Sequence, residues 1–282
     1  MSPIVQVLAF YPLLAIPALV ATVAALATRT WAGFTCMGLT TLAIAATSCP
    51  GTDAASGSSD AATHIRVVSS NVNAGMATRS LISKLENDPT PTDVLFIVEC
   101  TLHCAQVLDE PAIVDIFPHR IVVPAPGAAG AAILSRSQLS NISQPGSGAS
   151  HLAMPSADVT INDRTVALRA AHPFPPLPLA LESWRGGLSE LAEFTRVTTT
   201  PVIVAGDFNA TPYHEEFRAI LRDRLSDATP STAGTWPADL PPLLGAPIDH
   251  ILFSQPFSVS DSGTWDLVES DHRTVWADLV FD

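Results

Sequence analysis

The sequence predicts an α/β domain joined to an N-terminal membrane hairpin. Three features point there: two long uncharged runs at the start, apolar strands alternating with helical spacing further on, and polar residues gathered at the ends of those strands.

The uncharged runs come first. No charged side chain occurs from Met1 to Thr28, and after Arg29 none occurs from Thr30 to Thr52. Each run exceeds the roughly 20 apolar residues that cross a bilayer. Pro12 and Pro17 in the first are tolerable where neighbouring groups compensate the broken backbone bonds. A signal peptide fits less well, because the pair is too long and has no basic n-region. Spans at about 4–28 and 31–49 are therefore expected, within a membrane region of residues 1–50. Arg29 is the sole basic residue near them until Arg66, so the positive-inside tendency puts the turn in the cytoplasm and both chain ends outside. Residues 51–63, GTDAASGSSDAAT, read as a flexible tether of small polar residues.

From residue 64 to 282 strands and helices alternate without repeats. HIRVVSSNVNA (64–74), DVLFIVE (93–99), GAAILS (130–135), RTVALRAAH (164–172), VIVAGDFN (202–209), IDHILFS (248–254) and RTVWADLVF (273–281) read as strands. ATRSLISKLEN (77–87) and much of 179–197 carry helical spacing. Unbroken apolar strands mean burial on both faces, in a sheet covered by helices or by a second sheet.

This part of the chain is acidic. All 27 Asp and Glu lie at or beyond Asp53, Lys84 is the single lysine, and the formal net charge is −13. Such a surface repels a phosphate backbone, which disfavours indiscriminate nucleic-acid binding, although a bound divalent cation would reverse the sign locally. Cys36 and Cys49 fall in the second uncharged run. Cys100 and Cys104, spaced CTLHC, lack the paired clusters of a zinc site. Their i, i+4 spacing is poor disulfide geometry on a helix, so packing is expected rather than a bridge.

The strand ends carry the chemistry. Asn71, Glu99, His172, Asp207, Asn209, Asp249, Asp271 and His272 each terminate or interrupt an apolar run. Ordinary roles exist for each alone: a helix-start carboxylate for Glu99, a core histidine for His172, a turn for Asp249. Eight such groups, costly to bury unless they bind something or one another, point to one shared site. In VIVAGDFNATPYHEEF, Asp207 and Asn209 flank Phe208, so two polar groups face one side while the aromatic enters the core. Gly206 permits close approach or an unusual φ, and the segment after GDFN turns helical.

The ordered set SSNVNAG, VLFIVEC, RAAHPFPP, VAGDFNATP, APIDHILFS and ESDHRTVWADL resembles the endonuclease/exonuclease/phosphatase superfamily over essentially the whole soluble domain. That resemblance implies a four-layer α/β sandwich, two mixed sheets face to face with helices outside. It also implies a metal-dependent phosphoesterase. Glu99 is then the principal ligand of Mg²⁺ or Mn²⁺, with Asn71 close by and Asp271 assisting. His272 acts as general base or proton carrier on the attacking water, with Asp249 holding its tautomer. Asp207 and Asn209 position water and phosphorus, and His172 stabilises or protonates a phosphate oxygen. Two departures stand out: Ile-Val-Glu-Cys replaces the family's common Leu-Gln-Glu, and Thr274 stands where SDHxPV has proline. Three readings follow. The first is a membrane-tethered phosphoesterase on an extracytoplasmic phosphodiester or phosphomonoester, with a lipid headgroup as one candidate substrate. The others are an extracytoplasmic nuclease and a non-catalytic binding module on the same fold.

Overall fold

The computed structural model of the chain describes residues 4–10, 13, 20, 21, 24, 63–145, 151–222, 224–230 and 234–281. A short helix, α1 (Ile4–Leu8), precedes β1 (Thr63–Asn71), α2 (Thr78–Glu86) and β2 (Val94–Val98). Next come α3 (Leu102–Leu108), α4 (Pro111–Ile116), β3 (His119–Val123), β4 (Ala131–Ser135), β5 (Leu139–Ser143), β6 (Ser156–Ile161) and β7 (Arg164–Ala171). The chain ends with α5 (Leu181–Val197), β8 (Val202–Asp207), α6 (Glu215–Leu221), β9 (Leu225–Asp227), β10 (Asp249–Ser254), β11 (Ser258–Trp265) and β12 (Thr274–Phe281).

The strands form two six-stranded mixed sheets, ordered β11-β12-β1-β2-β4-β3 and β5-β6-β7-β8-β10-β9. Each has one parallel pair near its centre, β1 with β2 and β7 with β8, in an otherwise antiparallel arrangement. Strand alternation explains the unbroken apolar runs. Val94, Phe96 and Val98 meet Leu168, Ile203 and Ile251 of the other sheet in the central core. Leu95 and Ile97 face outward beneath α2, α3 and α4. Val202 and Val204 likewise pack beneath Trp184, Leu188 and Leu191 of α5 and Phe217 of α6. Two sheets with helices on both outer faces make the expected α/β sandwich.

Topology collects the site residues at one end. β1, β2, β7 and β8 finish there, while β10 and β12 begin there, so that Asp207 and Asp249 are direct cross-strand partners. Gly206, at φ +154°, lies beside Ala171 of β7, and a Cβ would fall 1.9 Å from the Ala171 carbonyl oxygen. Only glycine fits this approach.

One expectation is corrected. Cys100 and Cys104 are joined by a disulfide. Cys100 lies before α3 rather than on it, so helical i, i+4 geometry does not apply and the Cα atoms stand 5.2 Å apart, within bridging range.

The hairpin falls mostly outside the described residues: 31–49 entirely, the tether up to residue 62, and much of 4–28. No helix among the described residues is long and apolar enough to cross a membrane. The start of the first run rests on the domain. Val5 packs partly buried against the α5–α6 core. Gln6 Nε2 donates to the Pro176 carbonyl at 3.0 Å, and the Phe10 ring lies 6.4 Å from that of Trp236. The Thr211 N–H donates to His214 Nδ1 at 2.9 Å, which leaves Nε2–H to donate to the Val5 carbonyl at 2.8 Å.

Candidate active site

Asn71 ties the two sheets together. Its side chain closes β1, and Nδ2 donates to Glu99 Oε1 at 3.1 Å and to Asp207 Oδ2 at 3.2 Å. Glu99 follows β2 in left-handed backbone, φ 62°, an uncommon state for a residue with a side chain. Its other oxygen accepts from the Ala74 N–H at 2.6 Å. Asn71 is buried, whereas Glu99 is partly open to solvent.

Asp207, Asp249 and His272 form the buried part, their ligand atoms all within 4.8 Å of one another. Asp249 Oδ2 accepts from His272 Nδ1 at 2.9 Å, which turns Nε2 toward Asp207 Oδ2 at 3.7 Å. His172 Nε2 approaches the same oxygen at 3.8 Å. Asp207 Oδ1 accepts the Asn209 N–H at 2.8 Å, and Asn209 Nδ2 donates to the Pro173 carbonyl at 3.1 Å. Phe208 is fully buried, as the flanking pattern requires.

Burial and charge set the protons. Burial first, then the charge of Asp249, push Asp207 up to about 7 against the pull of His272 and two hydrogen bonds. Burial alone would lower His272, but Asp249 and Asp207 outweigh it and raise the ring to about 10. Burial, reinforced by the charge on His272, takes His172 down to about 4. Its Nδ1 lies near the Ala128 carbonyl without a well-formed hydrogen bond. The two histidines are thus driven apart, one proton-rich and one proton-poor, as in sites that move protons.

Seven of the eight expected residues converge directly, while Asp271 stands at the rim. Its carboxylate is exposed and accepts from Trp236 Nε1 at 3.3 Å. The Trp236 ring in turn lies 6.5 Å from that of His272. Oxygen donors from Glu99, Asn71 and Asp207, the last with its pKa raised chiefly by burial, suit a hard divalent cation, whose charge would favour the ionised carboxylate.

Supporting residues were not found in the sequence. Thr235 Oγ1 accepts the backbone N–H groups of Ile248 and Asp249, each at 3.1 Å, and so fixes the start of β10. Ser270 Oγ donates to the Asn71 carbonyl and accepts the His272 N–H. Buried Arg273 donates to the carbonyls of Gly234, Ala238 and Leu240, riveting the loop that holds Trp236. Ser270 and Arg273 are the first and last residues of SDHR, the one signal that could have drawn attention to them; Thr235 has none. At the family's proline position, Thr274 Oγ1 shares a 2.8 Å hydrogen bond with Ser70 Oγ.

Similar folds occur among solved structures. Zebrafish (D. rerio) TDP2 with a single-strand DNA product is 17% identical, covers 77% of this chain and 99% of its own, and superposes with a TM-score of 0.63. Sphingomyelinase C from Streptomyces griseocarneus is 15% identical, with 77% and 99% covered and a TM-score of 0.54. A mannosyl-6-phosphatase from Bacteroides thetaiotaomicron is 18% identical, with 77% and 100% covered and a TM-score of 0.54. A sequence search of curated proteins finds no match. The sequence model of the Endonuclease/Exonuclease/phosphatase family matches residues 68–272. The chain belongs to that family.

Proposed function

We propose that the protein is a divalent-metal-dependent phosphoesterase, tethered to a membrane and acting on an extracytoplasmic phosphate ester by in-line attack of water. The observation that carries this reading is the convergence, at one end of both sheets, of Glu99 and Asn71 with the Asp207–Asp249–His272 group.

Glu99, Asn71 and Asp207 would hold the cation. When bound, it would supply positive charge that polarises a phosphoryl oxygen and weakens the pull of Asp207 on the His272 proton. The remaining chemistry belongs to the side chains. Asp249 keeps the His272 Nδ1–H engaged, so Nε2 is the atom that exchanges a proton with the attacking water. His172, neutral near pH 7, donates a hydrogen bond to a phosphate oxygen. Asn209, held by Pro173 and Asp207, orients that phosphate.

One observation supports the outward placement, and a second is compatible with the hairpin. The Cys100–Cys104 bridge suits an oxidising compartment. The hydrogen bond between Val5 and His214 puts residues 5 and 214 on the same side of any membrane. The crossings between them therefore number zero or two, and two is the hairpin. With residues 4–10 on the domain, about 18 residues to Thr28 remain for the first crossing, ~27 Å as helix, near the lower limit for a span.

The experiment is hydrolysis by the purified chain of bis(p-nitrophenyl) phosphate, a panel of phospholipids and plasmid DNA, with Mg²⁺ or with EDTA. Mg²⁺-dependent turnover of a phosphoester, lost in Asp207→Ala, is expected. Undiminished activity in EDTA refutes the metal reading, and turnover of DNA alone selects the nuclease. Alkaline phosphatase fused after Asp282 is expected to be active; a fluorescent green protein in its place would reverse the topology.

A further inference from the structure

Between residues 63 and 281, large apolar side chains are left exposed in an uneven pattern. Ten such residues are exposed among those described; Val197 ends α5 at the opposite end of the sandwich, and Ile142 lies on the edge strand β5. The other eight sit on the loops that deliver the site residues. Leu177 and Leu179 follow His172, and Leu179 is fully exposed. Leu240, Leu243 and Leu244 precede Asp249, and Leu243 is 73% exposed. Met76 and Leu102 flank the Asn71 and Glu99 side, and Val268 lies shortly before His272. Scattered apolar residues need no explanation, but a concentration around one opening marks an interaction surface.

We propose that this rim seats the mouth of the site on a lipid bilayer, with Leu179 and Leu243 entering the interface. The inference rests on the phosphoesterase reading and names the surface its site faces. The occupant is indicated by the chain itself. Residues 4–10 lie along this rim, joining Pro176 of one leucine loop to Trp236 of the other through Gln6 and Phe10. From there the sequence continues without a charged side chain to Thr28. The polypeptide that would enter the bilayer thus departs from the mouth of the site. Charge narrows the choice further. A chain of net charge −13 with one lysine has little to attract it to anionic lipid, so the surface it fits is zwitterionic.

The docked segment sets the orientation and the leucines supply the contact. A substrate headgroup then reaches Glu99 and His272 without the lipid leaving its leaflet, which tethering by residues 51–63 alone would not ensure.

The test uses the 282-residue chain in phosphatidylcholine vesicles, with Cys36 and Cys49 changed to Ser. A polarity-sensitive fluorophore is attached at Leu179→Cys, Leu243→Cys or Val197→Cys. Val197 is equally apolar but ends α5, at the opposite end of the sandwich. Brominated phosphatidylcholine is expected to quench the labels at 179 and 243 several-fold more than the label at 197. Equal quenching at all three overturns the proposal. Labels at 179 and 243 shielded from water but untouched by brominated lipid, with cross-linked dimers, would assign the rim to a second copy and also overturn it. Leu243→Glu should reduce quenching of the label at 179, and Leu179→Glu that of the label at 243, while neither changes bis(p-nitrophenyl) phosphate turnover. Quenching does not require catalysis, so failure of the phosphoesterase reading leaves this test standing. An active enzyme whose rim stays in water would sink the rim alone.

Discussion

The two halves of the site differ in their access to water. Glu99, after β2, is partly open and accepts single hydrogen bonds from Asn71 and Ala74. Asp207, Asp249 and His272 are almost wholly enclosed, Asp249 bonded to His272 and Asp207 to Asn71 and Asn209. An open carboxylate can exchange its partner with solvent, whereas an enclosed cluster must trade protons internally. On the proposed function Asp207 serves both halves, and the contrast separates Glu99, which would capture the cation, from Asp249 and His272, which would manage the proton, so that each should fail in its own way.

The largest effect is expected in the enclosed half. His272→Ala should lower kcat by about 10²- to 10⁴-fold, the usual contribution of an acid–base group, while metal binding by calorimetry stays close to wild type. Loss of both together would erase the distinction between the halves.

Glu99→Gln should act in the opposite sense. It keeps the shape, removes the charge, and should raise the Mg²⁺ needed for half-activation by about 10- to 100-fold. Recovery of kcat at high Mg²⁺ in a metal titration is the expected sign. A defect that added metal does not relieve would put Glu99 with the proton-handling group.

The disulfide sharpens the comparison, because Cys100 adjoins Glu99 on the open side. Closing so short a loop contributes about 2 kcal/mol by chain entropy, so Cys100→Ser with Cys104→Ser should lower the denaturation free energy by that amount. Chemical denaturation measures it, and the metal requirement should shift in the direction of Glu99→Gln while kcat at saturating metal is kept.

The smallest effect concerns His250, buried beside the enclosed half. Its Nδ1 meets Asp227 at 2.7 Å and its Nε2 the Ala210 carbonyl at 3.0 Å, two acceptors that require both ring protons. Burial opposes the charge, but Asp227 overrides it and raises the pKa above the ordinary 6.5. A histidine raised on folding adds stability that is complete below its unfolded pKa and is lost as pH rises through its folded one. His250→Gln, which can keep one of the two bonds, should cost about 0.5–1.5 kcal/mol at pH 6. Melting curves from pH 6 to 9 should show that gap narrowing, and a gap constant with pH would mean a neutral ring.

The enclosed half was the more legible of the two in sequence. Asp207, Asp249 and His272 stand out because each breaks an apolar run, and burial of a polar group without partners is costly enough to make such breaks informative. The residues that hold them are less visible. Thr235 and Ser270 act from loops, where polar residues are ordinary. Spacing alone assigns Cys100 to the helix, whereas α3 begins two residues later at Leu102, and that difference decides the geometry. Edge strands such as β3, β5 and β11 went unassigned, since half-exposed residues blur the apolar pattern. Docking of residues 4–10 left no trace either, for a uniformly apolar run has no period to show which face is covered.

Arg273 carries a consequence for how the site can diversify. Its guanidinium grips three main-chain carbonyls of the Trp236 loop and no side chain of that loop. A clamp on the backbone is indifferent to the identity of the residues it holds. Replacements at Ala238 or Asp239 can therefore alter what the mouth of the site offers a substrate while the loop keeps its path, so selectivity is free to drift with the catalytic frame unmoved.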